Sequence, residues 1–341
     1  MGRSTIEDVA RQAGVSVATV DRVLNGRAAV RPPTVERVEK AIRLLNYQPD
    51  RLAARLARAR DYRFCFVLPE GTNAFMIALG EAVRQTASHM AHDKIAIDMR
   101  LTDVFDAEAL ARTLDQVGDI YDGVAVVALD HPRVREAING LAERGVAVVT
   151  LVSDVPGSKR SHYVGIDNAA AGRTAGTLMG RYLGGRSGKV GLIAGSLSLR
   201  DHIERQFGFE QVIMHEYPNL ALLPVREGRD EWQRVETVTR QMLDDHADLI
   251  GLYNVGAGTR GVVAALEAAG RQKSIVYIAH ELRDESRRAL IDGTIDVIIN
   301  QDAGHEVRSA IRLLMSKADK SPIVEAMERI RIDICVRDNI P

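Results

Sequence analysis

Six places between residues 61 and 341 put hydrogen-bonding side chains directly after a continuous apolar run. Phe64–Leu68 leads into Pro69-Glu70-Gly71-Thr72-Asn73-Ala74-Phe75, and Val124–Leu129 into Asp130 and His131. Val190–Ala194 is followed by Gly195-Ser196-Leu197-Ser198, which leads to Arg200 and Arg205. Leu249–Tyr253 ends at Asn254, Ile275–Ala279 at His280-Glu281, and Ile295–Ile299 at Asn300-Gln301-Asp302. A single polar residue at such a place is ordinarily a helix cap or a loop contact. A whole set of amides, carboxylates and guanidinium groups supplies donors and acceptors in pairs, as the neighbouring hydroxyls of a sugar or polyol require. Phe75 offers an apolar plate beneath a ring.

Elements that could bring these residues together are legible in the same stretch. Between most of the apolar runs lie amphipathic segments, Phe75–Met90, Pro132–Arg144, Ala169–Leu183, Glu231–Leu243, Gly258–Ala269 and Gly304–Met315. Strands apolar on both faces, alternating with helices, predict parallel sheets covered by helices. A last run, Ile330–Val336, brings the material to more than one such sheet holds comfortably, so two α/β lobes are expected. Ligands of such sheets bind at the carboxyl ends of the strands.

The first 60 residues are of a different kind. They carry 12 Lys+Arg against 6 Asp+Glu, a charge of +6, while residues 61–341 carry −7 on a chain whose net charge is −1. A basic head on an acidic body is the asymmetry of a nucleic-acid binder. Thr5 and Asp8 form an N-terminal capping pattern, Ile6, Val9, Ala10 and Ala13 share one helical face, and Gly14 ends that helix. Ser16 caps a second helix with Val20, Val23 and Leu24 inward and Val17, Ala18, Asp21, Arg22 and Asn25 outward. This is a helix-turn-helix pattern, whose second helix enters a DNA major groove. Thr34 is expected to open a third helix, and after Pro49 the segment Arg51–Arg58 forms a short helix capped by Asp50.

The ordered run Thr5–Ala10, Ala13–Ser16, Thr19–Asn25, Asn46-Tyr47 with Pro49, and Leu52-Ala53 through Leu56 resembles the head and hinge of LacI-family transcription regulators. That resemblance implies a homodimer on near-palindromic operator DNA. By position Val17, Ala18 and Arg22 face base edges, Thr5, Ser16, Thr19, Asn25, Thr34 and Tyr47 lie at or beside phosphates, and Leu56 pries open a minor-groove step. Asp21 departs from the family's serine, and is expected to turn toward Arg22 or Arg11. The remainder is similar to the type I periplasmic sugar-binding fold, in its ribose-like branch. This implies effector contacts at Asn73, Phe75, Asp130, Arg205, Asn254, His280 and Gln301. Two departures, Val255 after Asn254 and His280 in place of a carboxylate, open the effector class to a sugar acid or a phosphorylated sugar.

The expected organisation is an all-α three-helix head at 1–48, a hinge helix at 49–60 and an effector body at 61–341. Within the body, one lobe is expected at about 61–163 and 296–324, the other at about 164–295 and 325–341. Closure of the lobes would set the spacing of paired hinge helices and hence operator affinity, a coupling of about 1–3 kcal/mol in such systems. Without a secretory signal or a long apolar run the chain reads as a cytoplasmic protein with no membrane contact. His89/His92 and His215-Glu216 lack a third convergent ligand, so neither metal nor cofactor is expected.

A competing reading rests on Gly256-Ala257-Gly258-Thr259-Arg260-Gly261, which satisfies G-x-G-x-x-G with Glu281 beyond it as a ribose acid. It would make the chain an NAD(P)-dependent oxidoreductase with a DNA-binding head. The alternative, that these glycines shape a loop at the cleft mouth, is preferred, and no catalytic residue is assigned. A free-standing sugar-binding transport protein fits the basic head poorly. Trp232 is expected away from the strand ends.

Overall fold

The computed structural model describes residues 4–24, 30–45, 47 and 61–340, and the chain divides into two compact units, 1–61 and 62–341. The expected hinge helix, with Leu56, and the expected contact at Asn25 lie outside the described residues.

In the first unit, α1 (Ile6–Ala13), α2 (Val17–Leu24) and α3 (Pro32–Leu44) enclose Val9, Ala10, Ala13, Val20, Val38 and Ala41. Thr5 and Asp8 close a reciprocal capping box at α1, and Gly14 ends that helix in the left-handed region at φ 64°. Thr34 does not open α3. The helix starts two residues earlier, at Pro32, because a proline's fixed φ and missing N–H suit the first helical positions.

The second unit holds two sheets. The first runs β2 (Ile95–Thr102), β1 (Tyr62–Pro69), β3 (Gly123–Val126), β4 (Ala147–Leu151), β5 (His162–Val164), every neighbouring pair parallel. Alternation along β1 sends Phe64, Phe66 and Leu68 to α4 (Ala74–Met90) and α12 (Ala303–Asp319). Cys65 and Val67 point to α5 (Ala107–Val117) and α6 (Pro132–Glu143). With both faces covered, no position on the strand core needs to be polar, hence the unbroken apolar run.

The second sheet runs β12 (Asp333–Cys335), β11 (Val297–Asn300), β10 (Val276–His280), β9 (Leu249–Asn254), β6 (Gly188–Ala194), β7 (Leu220–Leu222), with β8 (Arg226–Glu227) also on β6 and β12 antiparallel to β11. One face packs on α7 (Asn168–Leu183) and α8 (Arg200–Glu216), the other on α9 (Trp232–Asp245), α10 (Thr259–Ala268) and α11 (Asp284–Ile291). A short helix, α13 (Glu325–Glu328), precedes β12. Helices α7 and α8 approach closely because a Cβ on Gly172 would run into the Arg205 carbonyl, and one on Gly208 into the Ala169 carbonyl.

One expected boundary is corrected. β11 pairs with β10, so the chain stays in the second lobe through Asn300 and not only to 295. The pairing of Ile278, Ala279 and His280 with Val297, Ile298 and Ile299 fixes it there. Among the described residues no helix is long and apolar enough to cross a membrane.

Candidate functional site

The carboxyl ends of both sheets face one cleft of about 840 Å³. The β1–α4 loop supplies Asn73 and Phe75, the end of β4 Val152 and Ser153, and the start of α8 Asp201, His202 and Arg205. The β8–α9 turn adds Asp230 and Trp232, the end of β10 His280, Glu281 and Arg283, and the segment after β11 Gln301. Among the described residues six non-glycine positions have positive φ, and four of them, Val152, Arg229, Asp230 and Glu281, line this cavity. Backbone held in the left-handed region costs roughly 1–3 kcal/mol per residue, and its concentration here marks a surface shaped for more than stability.

Five of the seven expected effector contacts converge on the cleft. Asn73 caps α4, accepting from the N–H groups of Phe75 (3.0 Å) and Met76 (3.2 Å), and donates across the cleft to Asp230 Oδ2 (2.9 Å). Phe75 carries the Arg283 guanidinium 5.4 Å from its ring centroid. Arg205, 3% exposed, donates to Asn168 Oδ1 and to the Val255 carbonyl, both at 2.8 Å, and keeps Nη2 buried with no partner among the described residues. His280 Nε2 lies 2.8 Å from the Tyr253 hydroxyl, with Nδ1 unpartnered. Burial, then Arg205 and His202, hold its pKa well below the usual histidine value, so the ring is neutral. Gln301 Nε2 donates to Glu281 Oε1 (2.7 Å), leaving its own Oε1 unpartnered.

Two expected contacts fall elsewhere. Asp130 lines a second cavity of about 330 Å³ with His131, Arg200 and Glu204, and is paired to Arg135 (2.7 Å) and Arg200 (3.3 Å). The reason is that β3 ends at Val126, so Asp130 lies four residues past the strand end rather than one. Asn254, fully buried, turns to the side of β9 opposite the Tyr253 ring. There it braces the next loop, donating to the Ala257 carbonyl (3.1 Å) and accepting from Gly256 N–H (3.3 Å).

Asp201, His202, Asp230, Arg283 and Ser153 were not foreseen as contacts. Asp230 and Arg283 lack an apolar run directly before them, and Asp201 and His202 lie on a helix with no amphipathic signal. Ser153 does follow an apolar stretch, Val146–Val152, but is a small residue that carries little signal of its own. The sequence places Glu281 at a strand end and as a ribose acid, and not as an effector contact. Burial pushes its carboxyl up to about 7 against Arg205, Gln301 and Arg283, which lower it. Trp232 also lies in the cleft, its ring 4.3 Å from the Arg260 guanidinium, which corrects the expectation that it stands apart. Ligand entry should therefore change its emission. A titration that saturates by calorimetry with no change in tryptophan fluorescence would contradict this placement.

The glycine hexapeptide has a packing account. A Cβ on Gly256 would press on Asp230 and Gly195, and one on Gly261 would strike the Trp232 carbonyl, so these glycines let the loop and α10 close on the cleft wall.

In the head, Val17 is 42% exposed and Ala18 and Arg22 are exposed on the outward face of α2. Ser16 Oγ accepts from the Thr19 N–H (3.2 Å), and the two hydroxyls lie 2.9 Å apart. Tyr47 packs against the small core, Thr34 is half-buried on α3, and Thr5 is exposed. Arg11 lies 3.3 Å from Asp8 Oδ1, and Asp21 is half-buried on α2.

Residues 5–50 match the family model of bacterial regulatory proteins of the lacI family, and residues 64–322 match a periplasmic binding protein domain. The chain belongs to the periplasmic binding protein domain family, with a lacI-type regulatory head at its start. The chain is 35% identical over 159 residues to the sucrose operon repressor of Escherichia coli, covering 45% of its own length and 46% of that protein. It is 45% identical over 93 residues to the transcriptional regulator GalS of Salmonella typhimurium, 27% of each. With catabolite control protein A of Staphylococcus xylosus it shares 39% over 84 residues, 25% of its own length and 26% of that protein. The matched stretch thus spans between a quarter and a half of the relatives' length.

Solved structures agree on the fold of the body. A glucose-galactose binding protein from Geobacillus stearothermophilus superposes with a TM-score of 0.74 at 21% identity, over 83% of this chain and 99% of that one. A solute binding protein from Burkholderia graminis in complex with D-arabinose gives 0.75 at 22% identity, over 82% and 97%.

Proposed function

We propose that this chain is a ligand-responsive transcription regulator, a repressor. It acts in the cytoplasm as a homodimer on a near-palindromic operator and is tuned by a small polyhydroxylated metabolite bound between its lobes. The observation that carries this reading is one chain holding both an exposed α2 face in a basic head and a cleft with unpartnered buried polar atoms. Arg205 Nη2 and Gln301 Oε1 are buried, polar and unsatisfied among the described residues, which is costly unless something else completes them. Closure around the ligand would alter the spacing of the two heads, and operator affinity with it.

The test is fluorescence anisotropy on the DNA upstream of the chain's own gene, with full-length protein against a truncation starting at Tyr62. Salt-sensitive binding by the full chain alone, shifted by one compound from a panel of sugars, polyols and their derivatives, is expected. Equal binding by the truncation would refute the role of the head.

Two substitutions probe the reading face. Arg22→Ala should cost about 1–3 kcal/mol of operator affinity and relax the preference for one base pair, as loss of a bidentate guanine contact does. A uniform loss across all sequences would instead make Arg22 a phosphate contact. Asp21→Ser should tighten binding by about 0.5–1 kcal/mol, because it replaces a carboxylate beside the phosphates with a donor. Weaker binding by the serine variant would show that Asp21 itself contributes to recognition.

A further inference from the structure

The polar atoms of the cleft differ in what they still need. Glu281 Oε2, Gln301 Oε1 and Asp201 Oδ1 are buried acceptors without a partner among the described residues. Gln301 is 2% exposed and Asp201 4%, and all three residues line the cavity. With Glu281 ionised, the Gln301 amide nitrogen must face it, because a carboxylate cannot donate. The amide oxygen is then left, like Glu281 Oε2, with nothing to receive among the described residues.

The charge around this pair is unbalanced. Eight carboxylate side chains line the cleft against four guanidinium groups, and no lysine is among the lining residues. Arg205 is the deepest cation, yet the two hydrogen bonds it makes go to neutral acceptors, the Asn168 amide and the Val255 carbonyl. Its field falls on both Glu281 and the fully buried Glu306 behind it, and neither carboxyl gains a guanidinium hydrogen bond. Arg283 lies over Phe75. A phosphate or a sugar acid would add negative charge to an acidic wall. A neutral hydroxyl would satisfy an acceptor without neutralising a carboxylate that burial makes expensive to ionise.

We propose that the effector carries a basic nitrogen, as an aminated sugar or cyclitol does, and that its ammonium group is received by Glu281 Oε2 and Gln301 Oε1. This rests on the cleft being the effector site, as read above. An ammonium brings several donors and one positive charge, which matches two buried acceptors of one hydrogen-bonded pair and a carboxylate that no guanidinium hydrogen-bonds. The hydroxyls of the same ligand remain for Arg205 Nη2, Asp201 and Ser153, with the ring against Phe75.

The experiment uses matched pairs with full-length protein, read by calorimetry: glucosamine and glucose, glucamine and sorbitol, scyllo-inosamine and scyllo-inositol, with glucose 6-phosphate as the anionic control. In at least one pair the amine should bind about tenfold tighter or more than its hydroxyl partner, as a charge-assisted hydrogen bond implies. The variant Glu281→Gln should erase that advantage. A hydroxyl or phosphate ligand binding as tightly as any amine would overturn the basic-nitrogen assignment while leaving the regulator reading intact. Amine preference that survives Glu281→Gln would overturn the assignment of this carboxylate. No amine binding at millimolar concentration would also overturn it, and only a concurrent failure to bind operator would sink the regulator reading as well.

Discussion

Arg205→Met is expected to destabilise the body by about 3–5 kcal/mol and to abolish its response to effector. Asn168 Oδ1 and the Val255 carbonyl would each lose a charged donor in a buried setting. Glu281 and Glu306 would lose the cation that lowers both of their pKa values. Arg205→Lys should not restore the wild type, because one ammonium on a flexible stem cannot fork to both acceptors while leaving a third donor over the cleft. Chemical denaturation of the body from Tyr62 onward gives the energy, and anisotropy on the full chain gives the response. A loss below about 1 kcal/mol, the net value of an ordinary hydrogen bond, would mean that Arg205 is no keystone of the floor.

The second large effect is a dependence on pH that can be traced to one residue. The Glu281 carboxyl is raised from 4.5 to about 7 by burial. Below pH 4.5 it is protonated whether the chain is folded or not, so it contributes nothing. Between there and about 7 the folded chain keeps a proton that the unfolded chain has released, and stability falls as pH rises. Above that the full penalty stands, on the order of 3 kcal/mol for a shift of this size. Glu281→Gln removes this slope. The variant should match the wild type near pH 4.5 and exceed it at pH 8 by about 3 kcal/mol in denaturation experiments without ligand. An equal difference at both pH values would show that the glutamine acts by packing and not through the proton.

The sequence showed the sheets because their chemistry is simple. Phe64–Leu68 and Val190–Ala194 are apolar at every position, and each fills two helix-covered faces at once. The helical head was legible for a local reason, since the capping box of Thr5 and Asp8 and the Gly14 turn are written in adjacent residues. Helix α8 was not legible. It buries Asp201, His202 and Arg205 in line with Phe209, Val212 and Ile213 while exposing Ile203 at 46%, Phe207 at 62% and Met214 at 62%, which breaks the ordinary amphipathic pattern. A helix that turns its charges inward does so to furnish a site, and periodicity alone cannot distinguish it from a loop.

Asp130 and Asn254 were misplaced for two other reasons. A strand ends where its ladder ends and not where its apolar run does, and β3 stops at Val126. Asn254 does end its strand, yet the alternation of side chains along β9 sends it away from the cleft. Glu281 and Asp230 depend on backbone conformations, φ 68° and 58°, that side-chain patterns do not encode.

Asp230 carries a last consequence. One of its carboxylate oxygens takes the Asn73 amide from the opposite lobe, and the other takes the Ala257 N–H of the neighbouring loop, so both are committed. Under the function proposed above, a residue that rims the cleft and also ties the lobes together cannot be exchanged to suit a new effector without resetting how strongly the chain responds to any effector. Adaptation to a different effector would then run through Ser153 and Gln301 on the floor, where taste can drift while the strength of the signal is conserved.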